Sequence, residues 1–297
     1  MISEGKDPEG YFNRLLSQAP ADLPTPVLLG EDWLKENMPA SPEASNKGTF
    51  GRAILFVGSD MYPGAALLAA KACLAGGCGI LTVYSSEGVR PYFTGLPEAI
   101  FRIALSESSN EMLIGSADAV GIGCGWGSSP DKKIAERVMQ SARKLLIDAD
   151  GLNLLSRDAE LFKMITNKCV LTPHPGEMSR LTGMKTEEII ADPARAAYSF
   201  AAEHNCTILL KGTCTVIAAP KKLVITAVGN NGLAKGGSGD ALSGLITAML
   251  CRGKPPFEAA CIGSLLLGIG AQKAYEVLNT RLLRASNVTD AIMKGIL

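Results

Sequence analysis

Aromatic side chains make up only 5% of the 297 residues, and histidine occurs twice. So few flat rings exclude a platform on which nucleic-acid bases stack. Two histidines and no CxxC pair leave nothing that reads as a zinc site. The eight cysteines (Cys73, Cys78, Cys124, Cys169, Cys206, Cys214, Cys251, Cys261) are scattered, mostly through apolar runs. They read as buried free thiols of a reducing compartment. Net charge is missing too, with 29 basic against 29 acidic residues, so no bulk attraction favours nucleic acid or an anionic membrane. Met1–Pro8 has no apolar core of a signal peptide. The longest apolar stretch, around Ala259–Ala271, is interrupted by Gly263, Ser264, Gly268 and Gly270 and is too short to span a bilayer. A cytoplasmic protein is expected.

Glycine, by contrast, is abundant, at 32 residues. Residues 1 to about 45 are polar and proline-rich, with amphipathic patches near Tyr11–Leu16 and Asp32–Glu36; they read as a lead-in that packs on the main domain or a neighbouring subunit. The arm proper is set at residues 1–25 and a single domain at 26–297. Continuous apolar runs then recur at Ala53–Val57, Gly79–Tyr84, Ala119–Ile122, Lys144–Ile147, Lys168–Leu171 and Thr207–Leu210, as expected of strands buried on both faces. A hairpin, Thr215–Ala219 and Leu223–Thr226 around Pro220-Lys221-Lys222, follows them. Helical patterns lie between, near Pro63–Leu74, Asp131–Ala142, Pro193–His204, Gly239–Cys251 and Phe257–Val277. Alternating strands and helices predict an α/β fold with a mostly parallel central sheet covered on both faces. Polar residues after the strand ends place the site in one crevice at the carboxyl edge.

The richest stretch is Asn230-Asn231-Gly232-Leu233-Ala234-Lys235-Gly236-Gly237-Ser238-Gly239-Asp240. Its glycines open a helix, where unpaired amides and the positive end of the dipole suit an anion. Asp240 sits in that first turn, where it would repel a bound phosphate. Either it offsets the dipole as a first-turn or capping acid, or it is a base held beside an oxyanion site, as needed to deprotonate a hydroxyl that receives a phosphoryl group.

Other strand ends carry weaker signals. Gly58-Ser59-Asp60 and Gly64-Ala65 admit either a ligand or close helix–sheet packing. Gly121-Ile122-Gly123-Cys124-Gly125 lacks the helix entry and the distant acid of a dinucleotide fingerprint. His174, in Thr172-Pro173-His174-Pro175-Gly176-Glu177, is stiffened by two prolines and tilts towards substrate contact, whereas His204 reads as structural. Asp148, Asp150 and Asn153 share one strand end, with Asn153 suited to a substrate amide and Asp150 to capping the helix that follows. Glu177 suits a hydrated Mg²⁺, but no carboxylate cluster specifies a metal. Lys211-Gly212-Thr213 offers an ammonium and backbone donors without the spacing of a Walker loop.

Taken together and in order, Asn46–Gly51, Gly58-Ser59, Pro63-Gly64-Ala65, Gly121–Gly125, Asp148–Asn153, Thr172–Glu177, Lys211–Thr213 and Gly236–Asp240 resemble the ADP/ATP-dependent NAD(P)H-hydrate dehydratases, a branch of the ribokinase-like superfamily. The resemblance covers about residues 26–297. It implies a three-layer α/β/α ribokinase-like fold and repair of the hydrated cofactors NADHX and NADPHX, with ADP or ATP as co-substrate and Mg²⁺ as cofactor. It implies that Asp240 is the catalytic base, with Gly237 and Gly239 forming the anion hole. Ala65, Gly123, Gly125, Asn153, His174 and Asp240 would contact the hydrated cofactor. Lys211, Gly212, Thr213, Cys214, Thr215 and Gly239 would contact the nucleotide. A homotetramer is implied as well. The epimerase domain fused upstream in many bacterial relatives is not expected here, so a separate epimerase would supply the correct epimer. The sequence departs from the family pattern at Asn46, at Ile122 and Cys124 in the glycine turn, and along Asn230–Lys235. The rival reading is a small-alcohol kinase of the same superfamily, of hydroxymethylpyrimidine or hydroxyethylthiazole type, which would stop at the phosphorylated product.

Overall fold

Short apolar runs flanked by small residues build one ten-stranded sheet in a computed structural model that describes residues 8–18, 23–104, 110–128, 131–226, 228–279 and 281–295. The strands are β1 (Val27–Leu29), β2 (Arg52–Phe56), β3 (Ile80–Ser85), β4 (Ala99–Ile103), β5 (Ala119–Ile122), β6 (Leu145–Ile147), β7 (Cys169–Leu171), β8 (Thr207–Leu210), β9 (Thr215–Ala219) and β10 (Lys222–Thr226). Their order across the sheet is β1-β10-β9-β8-β7-β6-β5-β2-β3-β4. All pairings are parallel except those of β9, which runs against β8 and β10. The hairpin is thus a single reversed strand inside an otherwise parallel sheet. Its turn is tighter than the sequence suggests, because Lys222 already belongs to β10 and Lys221 takes φ +65°.

The helices in chain order begin with α1 (Pro8–Gln18), α2 (Glu31–Asn37), α3 (Pro63–Ala75), α4 (Asn110–Ser116) and α5 (Lys132–Ser141). Next come α6 (Asp150–Leu155), α7 (Ala159–Phe162), α8 (Pro175–Thr182), α9 (Thr186–Ala191) and α10 (Pro193–Glu203). The last are α11 (Ser238–Cys251), α12 (Pro256–Val277) and α13 (Ala285–Met293). Alternate residues of each strand enter different cores. Ala53, Leu55 and Val57 pack with α3, α11, α12 and α13, whereas Ile54 and Phe56 pack with α4, α5, α8 and α10. Two cores separated by one sheet make the three-layer α/β/α architecture. The expected strands and long helices are all present. Edge strands β1 and β4 were not expected: β1 is three residues long, and β4 is half-exposed with little apolar contrast.

Two features position the site. The chain runs outward from β2 to β3 and β4, then crosses back to lay β5 on the other side of β2. The carboxyl ends of β2 and β5 therefore flank the switch point, where open α/β sheets bind ligands. The second feature is the contact of α3 with α11, whose N-termini both reach that edge. A Cβ on Gly244 would overlap the Ala69 carbonyl and approach Ala72 Cβ to 2.9 Å, so glycine lets the helix backbones touch.

The lead-in packs on the domain: Tyr11 and Leu15 of α1 lie against the second core, and the Tyr11 hydroxyl accepts a 3.3 Å hydrogen bond from the Ala194 amide. No helix among the described residues is long and apolar enough to cross a membrane.

Candidate active site

At the switch point the glycines have a steric reason to be there. Gly123 takes φ +107°, and a Cβ on it would overlap the Asp148 carbonyl beyond β6. Gly125, at φ +66°, would bring a Cβ to 2.6 Å from that of Ala65, the third residue of α3. The amide of Gly58 donates to the Cys124 carbonyl at 2.7 Å, tying the end of β2 to this turn. Gly125 thus packs on Ala65 at the start of α3 and Gly123 on the start of α6, the close helix–sheet packing that the sequence left open beside ligand contact.

Behind these glycines runs a buried ionic chain. Asp148, 1% exposed, accepts from Lys211 Nζ at 2.8 Å and from the Ser243 hydroxyl at 2.8 Å. Lys211 Nζ also lies 3.6 Å from the buried Glu177 carboxylate. Burial alone would raise the Asp148 carboxyl, but the Lys211 charge and these hydrogen bonds outweigh it and hold it below the ordinary carboxylate value. Burial would likewise pull the Lys211 ammonium down, and the Asp148 and Glu177 carboxylates overcome it. The backbone reinforces this geometry, since the Lys211 amide donates to the Pro173 carbonyl at 2.8 Å and joins the loops after β7 and β8. Between Asp148 and Asp150, Ala149 takes φ +50° and ψ −116°, a strained conformation for a residue with a Cβ.

The glycine-rich stretch enters beside this chain. Gly237, at φ +93°, is the N-cap of α11 and has no side chain with which to cap. A Cβ there would stand 2.5 Å from Leu68 Cδ1 of α3, so glycine is required both for the backbone and for the packing. Among the described residues, no backbone acceptor takes the amides of Gly239 and Asp240, which are free to meet an anion. Asp148 Oδ2 and Lys211 Nζ lie 3.6 and 3.7 Å from where a Cβ on Gly239 would be, so the Asp148–Lys211 ion pair borders the open amides. No backbone amide donates to the Asp240 carboxylate among the described residues, so it does not act as a cap. Burial first, then the Asp148 charge, raises its pKa to about 6, against a hydrogen bond with Cys124 and the Lys211 charge, which lower it. A carboxylate held near neutrality beside open amides and an ammonium can take a proton from a hydroxyl while an anion is bound.

Several expected residues have other partners. His174 is the N-cap of α8; its Nδ1 accepts from the amides of Gly176 (3.0 Å) and Glu177 (3.4 Å), while Glu177 accepts from the His174 amide at 2.8 Å. Burial lowers the His174 pKa in spite of the Glu177 charge, and a ring nitrogen that accepts amides must be unprotonated. Asp150 does not cap α6, because the N-cap is Ala149; its carboxylate accepts instead from the Gly127 amide at 2.8 Å. Asn153 is held between Asp150 and Arg180, at 3.4 and 2.8 Å. Gly212 and Thr213 are exposed on the turn from β8 to β9, Thr215 pairs with Thr226 in the hairpin, and Cys214 lies near Tyr11 of α1. His204 is structural as expected, its ring against Phe200 and Phe162 at 4.3 and 5.0 Å.

Ser243 was missed by the sequence reading, although three residues after Asp240 on one helix it faces the same way. Cys124 was noted only as a departure, yet it stands between two carboxylates, with Sγ 3.8 Å from Asp148 Oδ2. As to metal, no group of three or more His, Cys, Asp or Glu among the described residues is arranged to hold an ion. Glu177 is already committed to His174 and Lys211. This donor set fits a cation carried by nucleotide phosphates and water better than one held in a protein cage.

With this geometry in place, similarity to known proteins becomes specific. Residues 53–294 match the model of the family described as NAD(P)H-hydrate dehydratase. The ADP-dependent (S)-NAD(P)H-hydrate dehydratase of Neisseria meningitidis is 37% identical over 244 residues, 80% of this chain and 81% of that protein. A ribokinase-like superfamily protein of Enterococcus faecalis superposes with a TM-score of 0.81 at 27% identity, over 91% of this chain and 95% of the other. The ADP/ATP-dependent NAD(P)H-hydrate dehydratase of Bacillus subtilis, co-crystallised with ATP/Mg²⁺, gives 0.76 at 29% identity, over 93% and 98%. The chain spans about half the length of the bifunctional NAD(P)H-hydrate repair enzyme of Escherichia coli, which it matches at 35% identity over 88% of its own residues. On its sheet topology, its glycine turns and these likenesses, the chain belongs to the NAD(P)H-hydrate dehydratase family and has its ribokinase-like fold.

Proposed function

We propose that this protein is an ADP- or ATP-dependent (S)-NAD(P)H-hydrate dehydratase with Asp240 as its base. The observation that carries the reading is the juxtaposition of that carboxylate, which caps no helix, with the open Gly239 and Asp240 amides and the Lys211 ammonium. Asp240 takes the proton of the ring hydroxyl of NADHX or NADPHX, whose oxygen attacks the terminal phosphorus of the nucleotide. The bond from that phosphorus to the nucleotide's bridging oxygen breaks, releasing AMP from ADP or ADP from ATP. Phosphate then leaves the ring with its bonding pair, and loss of the neighbouring ring proton restores the double bond. The amides of the Gly237–Gly239 loop hold the transferring group, and Lys211 adds charge beneath it; positioning and charge stabilisation are most of what phosphoryl transfer requires.

In this reading Ala65, Gly123, Gly125, His174 and Asn153 border the hydrated cofactor, and residues 211–215 with Gly239 border the nucleotide. Mg²⁺, if it accompanies the nucleotide, would offset the negative charge of the transferring phosphoryl group. We further infer a cytoplasmic homotetramer whose residues 26–297 are the catalytic domain and residues 1–25 an arm, acting in the same pathway as an epimerase; the family resemblance supports these points. The test is to incubate the protein with NADHX and Mg²⁺ plus ADP or, separately, ATP. Recovery of reduced-nicotinamide absorbance is expected with at least one nucleotide. Nucleotide consumption with a stable phosphorylated ring would favour an enzyme that stops at the phosphorylated product, and no turnover with either nucleotide would sink the dehydratase reading.

A further inference from the structure

Three cysteines from separate elements meet at the amino edge of the sheet, away from the site. Cys73 lies on α3, Cys78 just before β3, and Cys251 is the last residue of α11. Cys73 and Cys251 are buried and Cys78 is half-buried. The Gly76-Gly77 turn folds the chain back so that Cys73 Sγ and Cys78 Sγ lie 3.6 Å apart. Gly77, at φ +81°, has the Arg252 guanidinium 2.9 Å from where its Cβ would be, so the glycine lets that charge rest against the turn. Arg252 is held there by the carbonyls of Pro39 and Ala40, the Ser41 hydroxyl and the Phe50 ring.

We propose that Cys78 and Cys73 form a dithiol modification site that a hydroperoxide closes to a disulfide. Hydrogen bonds with Cys251 and then Cys73, with the Arg252 charge, draw the Cys78 thiol below its ordinary value, so the half-buried sulfur is the one available as thiolate. The Cys78 thiolate attacks one peroxide oxygen, and the O–O bond breaks. Sulfur is oxidised to the sulfenic acid and the peroxide is reduced to an alcohol or water. The Cys73 sulfur then attacks Cys78 Sγ; the S–S bond forms, the S–O bond breaks, and hydroxide leaves as water with the Cys73 proton. Cys73 resolves because it is in contact and needs no chain movement beyond closing the remaining gap.

The site does not depend on the dehydratase reading. Helices α3 and α11, at 13 and 14 residues, separate it from their N-terminal ends at the candidate active site by about 20 Å, at ~1.5 Å per residue. The experiment treats reduced full-length protein with hydrogen peroxide, blocks remaining thiols by alkylation, and maps tryptic peptides by mass. Residues 72–102 form one tryptic peptide containing Cys73 and Cys78 and no other cysteine. The expected result is that this peptide loses two hydrogens, resists alkylation until reduced, and shows neither change in Cys78→Ser. Cys251→Ala should leave the disulfide intact. A link from Cys78 to Cys251, or a peptide still fully alkylated when other cysteines are oxidised, would overturn the proposal.

Discussion

Helices α8 and α11 begin with nearly the same layout and end up chemically opposite. In α8 the first three residues are Pro175-Gly176-Glu177, and in α11 they are Ser238-Gly239-Asp240, each with glycine second and an acid third. At α8 the cap is His174, whose ring seals two amides, while Glu177 folds back on the cap's own amide. At α11 the cap is Gly237, with no side chain and a left-handed backbone. Among the described residues its Gly239 and Asp240 amides have no backbone acceptor, and its acid takes no backbone amide. An acid in the first turn therefore says little about function; the residue before the helix decides whether that acid joins the cap or stands apart from it. The two ends are joined through Lys211, which stands between Glu177 on one side and Asp148 and Gly239 on the other.

Removing the acid that stands apart from the cap should produce the largest effect. Asp240→Asn is expected to lower the dehydration rate by about 10²–10⁴-fold, the usual worth of a general base, with nucleotide affinity nearly unchanged by calorimetry. Because the base must be ionised and its pKa is about 6, kcat/KM of the unaltered protein should fall as pH drops through that value. Near-normal turnover in the variant, or an acid limb that survives in it, would refute the assignment.

The link between the two ends is the next point to break. Lys211→Met strands Asp148 and removes a partner of Glu177, both buried. The expected loss is about 3–5 kcal/mol of unfolding free energy, the typical cost of leaving one member of a buried pair alone. Denaturant titration checks this, and a loss below that range would mean that water reaches Asp148.

The smallest effect is expected where the helix is sealed. His174→Ala should cost roughly 0.5–2 kcal/mol as a lost cap, and His174→Asn should recover most of it, since Asn also accepts amide protons at that position. If Asn restores stability while turnover stays low, His174 contacts the substrate as well as capping α8.

Much of this was legible in the chain. Apolar runs of four or five residues are buried on both sides in a sheet covered by helices, so the mostly parallel sheet followed from pattern. The order of the strand-end motifs was enough to place the family. The edge strands escaped notice because a strand with one neighbour needs less apolar contrast. His174 as a cap escaped notice because histidine seldom plays that part. Asp150 looked like a cap, but the strained Ala149 turn aims it at Gly127 instead.

Local sequence alone determined the glycine loop, the helix that follows it and the presence of an acid in its first turn, because backbone freedom and periodicity are local properties. What that acid does was decided only by the tertiary structure. Asp148, Cys124, Lys211 and Asp240 are separated by tens of residues in the chain, and burial and charge at short range set their protonation. Those quantities exist only once β5, β6 and β8 lie beside α11.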